Sequence, residues 1–397
     1  MPKNILIINS SPDKNSPLID LLEELSGAGH SFCLASKPSG LTEQFQKNNW
    51  PVKKTYLGPG LNKKFGQIIF IFLLPFLFLA SLIRLAYYKF NKKISAIICL
   101  NINEKIIFAP AAKLLKIKTV WLEDSDSVFL KEGAVNKFLV LICGICSRRA
   151  DIITFTDFVK AKLKDSGFKE KNITIIRPGI KLKRYEHQDN LFNELANADG
   201  KNYRRKFFTV GTAVELNKNQ NVEILFQAAK ICLNVIPNIQ LIIVGEGEER
   251  KNLAWLAKKM EIDAMVWFVG EQNHLKKWLD SFDVFVGSSL SPRWIDFTVT
   301  LQAMAAELPI AGVIADGIPT PPESSGVKRQ ERGEAAVPRP IVADGIQNAL
   351  NAETLAGQII KLYKDKNTRL KLGRENKETV EKYFTIDRMM EEFKKIL

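Results

Sequence analysis

The residues best suited to chemistry lie between Phe208 and Ile310. Five glycines there, Gly211, Gly245, Gly247, Gly270 and Gly287, close short apolar runs. A sixth piece, the helical pattern TLQAMAAEL, is opened by Thr298, Val299 and Thr300. Glycine lets backbone approach a ligand closely, and the first-turn N–H groups of a helix are unpaired and sit at the positive end of its dipole. That combination suits an anionic, phosphate-bearing ligand. Lys218, after the first run, adds an ammonium able to neutralise such a charge; the competing reading is an ordinary solvated surface lysine. Between Ser288 and the helix TLQAMAAEL the only carboxylate is Asp296. Each glycine turn also has a plain reading as turn chemistry alone.

The elements that must position these groups follow from period and punctuation. FFTVG, NIQLIIVG, MVWFVGE and DVFVGSS read as buried strands, separated by helices over Val222–Asn234, through Lys259 and over TLQAMAAEL. Strands alternating with helices of this length imply parallel βαβ units, whose ligands lie beyond the carboxyl ends of the strands. The first half has the same rhythm. Strand Lys3–Asn9 and helix Leu18–Ala28 are followed by SFCLAS, ISAIICL, helix Ile106–Leu115, KTVWLED, a helix through Ile145, then DIITFT and NITIIRPGI. Tyr185–Arg205 carries no core pattern and reads as a linker. The stretch PTPPESSGVKRQERGEAAVPRP reads as a flexible loop, and Glu353–Tyr363 and Leu370–Leu397 as helices. The expected organisation is an N-terminal domain over 1–186, a linker over 187–205, a second domain over 206–381 and a terminal helix over 382–397.

A chain of 397 residues, 46% hydrophobic and 25% charged, suits two domains of ordinary size. Its formal charge of +14 points to an anionic partner, with soluble lysine-rich helices as the bland alternative. No aromatic-basic motif or recognition module speaks for nucleic acid. Phe65–Ile83 is free of charge, contains Pro75 and has basic flanks, so three readings compete: a helix dipping into a membrane interface, a core helix and a true span. Cys143 and Cys146 form a C-x-x-C inside an apolar run, where buried small hydrophobes compete with a metal or redox site. The opening MPKNILIINSS lacks the pattern of a secretory signal, so a reducing cytoplasm is expected.

The ordered pieces VGTAVELNKNQN, LIIVGEGEERKNL, FVGE, DVFVGSS and LQAMAAELPI resemble the donor-binding domain of glycosyltransferase family 4. ADIITFTD and NITIIRPGI resemble the strands that close that family's N-terminal domain, and Gly29-His30 matches its turn before the second strand. The resemblance implies the GT-B fold: α/β, two Rossmann-like doubly wound parallel-sheet domains facing across a cleft, the last helix crossing back to the first domain. It implies a retaining, metal-independent hexosyltransferase with no cofactor beyond its donor. Such an enzyme moves a hexose from a UDP- or GDP-sugar to a lipid-linked or saccharide acceptor in cell-envelope polysaccharide synthesis. It would sit peripherally at the anionic inner face of a membrane. By the same resemblance Lys218 binds the donor diphosphate, and Gly211, Thr212, Gly245, Glu246, Gly270 and Glu271 border the nucleotide. Thr298, Val299 and Thr300 bind the phosphates, and Gln302 bonds the ribose. Four family hallmarks are altered. The first loop has Ser10, Ser11, Pro12 and Asp13 where the family has a glycine pair, and Thr212 stands for its arginine. Trp294 and Gln302 stand for its E-x7-E pair, so Asp296 is the candidate substitute for the first glutamate. A catalytically silent member that binds nucleotide sugar or a partner enzyme is the rival reading.

Overall fold

The computed structural model describes residues 2–10, 16–61, 64–124, 134–185, 207–272, 274–287, 293–312 and 351–397. The expected linker 187–205 and the loop 319–340 lie outside the described residues. The chain divides into two units: Met1–Pro178 with Arg293–Ile295 and Ile386–Leu397, and Gly179–Pro292 with Asp296–Thr385.

Unit 1 is built on seven parallel strands, β1 (Asn4–Asn9), β2 (Ser31–Ser36), β3 (Val52–Lys54), β4 (Ile94–Cys99), β5 (Lys118–Glu123), β6 (Asp151–Thr154) and β7 (Ile173–Ile175). Their order is β3-β2-β1-β4-β5-β6-β7. Side chains of a strand alternate between faces. Ile5 and Ile7 therefore join one core, with helices α1 (Ser16–Gly27) and α2 (Gly40–Lys47). Leu6 and Ile8 join the other, with α3 (Lys64–Lys92), α4 (Ile102–Leu114), α5 (Ala134–Cys146) and α6 (Asp157–Asp165). Covering both faces explains why the strands are near-continuous apolar runs.

The expected helix over 65–83 is longer than its uncharged run: α3 spans 29 residues, passes through Pro75 and ends at Lys92. One side is fastened to the unit, where Phe70, Leu85 and Tyr88 are buried and the Ser81 hydroxyl donates to the Ile107 carbonyl at 3.2 Å. α2 and β3 were not legible in the sequence. The C-x-x-C lies on α5 with both thiols held protonated by burial, Cys146 pushed up to about 11 and Cys143 higher still. Neutral, enclosed thiols are poor nucleophiles and poor metal ligands.

Unit 2 has five parallel strands, β8 (Phe208–Ala213), β9 (Ile239–Val244), β10 (Val266–Gly270), β11 (Val284–Gly287) and β12 (Ile310–Gly312), in the order β10-β9-β8-β11-β12. Its helices are α7 (Val222–Cys232), α8 (Arg250–Lys259), α9 (Leu275–Leu279), α10 (Trp294–Ala305) and α11 (Ala352–Lys364). α7, α8 and α11 pack on one face, α9 and α10 on the other. The segment read as helical from Leu370 forms two helices, α12 (Lys366–Tyr383) and α13 (Ile386–Ile396). The break falls at Phe384 and Thr385, where Ile180 pairs: its N–H donates to the Phe384 carbonyl at 2.9 Å. α13 then packs in unit 1, with Met389 and Phe393 in the core that holds α1.

Candidate functional site

In unit 2 the connections from β8 and β11 leave in opposite directions across the sheet, so the crevice beyond their carboxyl ends is where such sheets bind ligands. Thr212, on β8, is fully buried and its hydroxyl donates to the Val286 carbonyl of β11 at 2.9 Å. It ties the two strands together, so the expectation that it borders the nucleotide is corrected. Gly211 is corrected as well: it lies inside β8 rather than at its end, and a side chain there would run into the Phe282 ring.

Beyond β8 the backbone stays paired with the end of β9. Val214 N–H donates to the Val244 carbonyl at 3.0 Å, and Leu216 N–H to the Glu246 carbonyl at 2.9 Å. Gly245, at φ 135°, lies so close to the Val214 carbonyl that a Cβ would collide with it. Gly245 N–H in turn donates to the Gly270 carbonyl at 2.8 Å, joining the ends of β9 and β10. Glu246 is exposed and pairs with Arg250, and Glu271 is exposed just past β10.

This stitched edge leads into a 3-10 turn, Lys218–Gln220. Lys218 is exposed, whereas Gln220 is buried at 2% and its Nε2 donates to both Asp296 oxygens at 3.4 Å. The fold thus brings the turn carrying Lys218 to Asp296, the third residue of α10. Gln220 was not singled out by sequence reasoning. Its only signal was its place two residues past the candidate lysine.

The start of α10 differs from expectation. The helix begins at Trp294, so Thr298, Val299 and Thr300 lie in its body. Helical pairing directs their N–H groups to the carbonyls four residues earlier, which removes them as open phosphate donors. Thr298 and Thr300 are buried, and the Thr300 hydroxyl donates to the Asp296 carbonyl at 3.0 Å. Val299 packs in the apolar cluster, and Gln302 is half-buried further along. At the helix start, Trp294 N–H donates to both Asp124 oxygens at 2.9 and 3.0 Å, and its ring stacks on Phe155 at 4.1 Å. Arg293–Ile295, Asp124 and Phe155 all cluster in unit 1. A carboxylate already occupies the place where an anion binds best.

Unit 1 has its own strand-order reversal, between β1 and β4. There the buried Glu104 carboxylate accepts from the Ser10 hydroxyl at 2.7 Å, Ser10 N–H at 3.2 Å and Asn101 N–H at 2.8 Å. Burial raises its pKa, with the Ser10 hydrogen bond opposing. Ser10 therefore ties the end of β1 to the start of α4. Ser11, Pro12 and Asp13 lie outside the described residues.

Two Rossmann-like parallel-sheet units in succession, one ending with a helix that returns to the other, define the GT-B class of fold. Crystal structures of Anabaena HepE in complex with UDP and with UDP-glucose share it, each with TM-score 0.73 and 16% identity over 99% of this chain and 98% of theirs. So does WaaG, a glycosyltransferase involved in lipopolysaccharide biosynthesis, with TM-score 0.63 and 12% identity over 98% of each chain. Residues 204–365 match the family model of glycosyl transferases group 1. An uncharacterized glycosyltransferase of Methanocaldococcus jannaschii, MJ1059, is 28% identical over 48% of this chain and 46% of its own. The putative glycosyltransferase EpsD of Bacillus subtilis is 28% identical over 45% and 42%. The matched region spans less than half the length of either curated relative.

Proposed function

We propose that the chain is a retaining, metal-independent glycosyltransferase that moves a hexose from a UDP- or GDP-sugar to a lipid-linked or polysaccharide acceptor at an anionic membrane surface. The observation that carries the reading is the junction of the Lys218 turn with Asp296, beyond the carboxyl ends of β8 and β11 in the segment matched as glycosyl transferases group 1. The HepE complexes hold UDP and UDP-glucose in a chain of the same fold, which supports a nucleotide-sugar donor. In the proposed reaction the Lys218 ammonium neutralises the diphosphate as the glycosyl bond breaks, and the Asp296 carboxylate lies beside the sugar as positive charge develops on it. Gln302 holds a ribose hydroxyl in neutral form.

Lys218→Ala is expected to weaken donor binding more than tenfold, about 1.4 kcal/mol or greater for a charge-assisted contact. Calorimetric titration with UDP-glucose and GDP-sugars checks this; an unchanged affinity removes Lys218 from the site. The rival reading, a silent nucleotide-sugar binder, is favoured by Trp294. The residue at the family's first-glutamate position is 5% exposed and spent on Phe155 and Asp124.

A further inference from the structure

The outward side of α3 carries an unbroken apolar stripe. Phe65, Ile68, Phe72, Phe76, Leu79 and Ile83 follow at steps of three and four, are 45–76% exposed, and the row runs on to Phe90. Steps of three and four keep them on one side of the helix, a row about 38 Å long from Phe65 to Phe90 at 1.5 Å per residue. Helix α5, which touches α3, adds Phe138, Leu141 and Ile145 at the same spacing, each about half exposed or more. An apolar face of this extent marks an interaction site.

We infer that α3 and α5 together form one docking face for an anionic lipid surface. The inner side of α3 is committed to the core of unit 1, so lipid would meet only its outer side, as in a helix lying along the membrane interface. Charge selects the occupant. α3, α4 and α5 carry a single acidic residue, the buried Glu104. Their carboxyl ends lead into the amino ends of parallel strands β4, β5 and β6, which gathers Lys92, Lys93, Lys113, Lys116, Arg148 and Arg149 along one edge of the unit, all exposed. A second copy of this chain would press that basic edge against its like, whereas anionic headgroups complement it and each nearby Lys or Arg strengthens attachment. The inference rests on the membrane-side acceptor proposed above and names the surface that reaches it.

The test is flotation of the full chain with phosphatidylcholine vesicles, with and without phosphatidylglycerol. Phe72→Ser/Phe76→Ser and Phe138→Ser/Leu141→Ser variants are run beside wild type, with calorimetric UDP-glucose affinity as a separate readout from unit 2. Wild type should bind the phosphatidylglycerol vesicles, and high salt should release part of it. The α3 pair should lower the bound fraction more than tenfold and the α5 pair several-fold, with UDP-glucose affinity unchanged. An α5 variant that binds like wild type overturns the two-helix face. Binding indifferent to phosphatidylglycerol overturns the charge argument, and release only by detergent indicates a span. A dimer in sedimentation that the variants dissociate, without vesicle binding, identifies a second copy as the occupant. Loss of UDP-glucose affinity with vesicle binding intact would fault the donor site and leave this face standing.

Discussion

Asp296→Asn is expected to lower turnover about a hundredfold or more while leaving nucleotide binding nearly unchanged. Asp296 sits in the first turn of α10, half-buried, and accepts from Gln220 in the same turn that carries Lys218. Asparagine keeps the shape and one acceptor oxygen for Gln220, so the fold and the site's outline survive; what is lost is negative charge. Preorganised electrostatic stabilisers are typically worth about 2.7–4 kcal/mol, and a charge felt only as the transition state develops acts on turnover rather than on affinity. Steady-state kinetics with the preferred donor, paired with calorimetry, separates the two. A variant as active as wild type would take Asp296 out of the chemistry and leave Lys218 and backbone dipoles to carry it.

Lys105→Ala is expected to destabilise unit 1 by about 3–5 kcal/mol, the usual cost of leaving a buried charge without its partner. The Lys105 ammonium is enclosed and uses all three donors: the Glu123 carboxylate at 2.8 Å and the carbonyls of Leu100 at 2.9 Å and Leu122 at 2.8 Å. Glu123 is buried too, so truncating the lysine takes the cation away from beside an acid at the end of β5. Urea denaturation followed by a unit 1 probe measures the loss. Because a buried pair is often replaceable by apolar groups, Lys105→Met with Glu123→Leu should recover most of it. A double variant as unstable as the single one would show that the pair is not the cause.

How far the sequence could be read depended on whether a signal was local. The ends of β9, β10 and β11 were legible because glycines mark them, and at Gly245 the φ of 135° and the approach of the Val214 carbonyl show why no other residue serves. The start of α10 was not legible. Its first N–H group is satisfied by Asp124, 170 residues away in the chain, which no nearby capping pattern announces. Without that partner, SPRWIDF reads as loop and Thr298 as the helix start. The two sides of α3 were hidden for another reason: when both are apolar, periodicity vanishes, and only packing separates buried Phe70 from exposed Phe72. Lys105 looked like any helical lysine until its three acceptors were assembled by β4, β5 and α4. Thr212 likewise took its meaning from a strand more than seventy positions on.

The most direct test of the account is transfer from a panel of radiolabelled UDP- and GDP-hexoses in the presence of membrane extract, with wild type and Lys218→Ala side by side. At least one donor is expected to label lipid-extractable or polysaccharide material with wild type, and Lys218→Ala to lose most of that label. Tight donor binding by wild type with neither transfer nor donor hydrolysis, across the whole panel, would contradict it and establish the chain as a silent nucleotide-sugar binder.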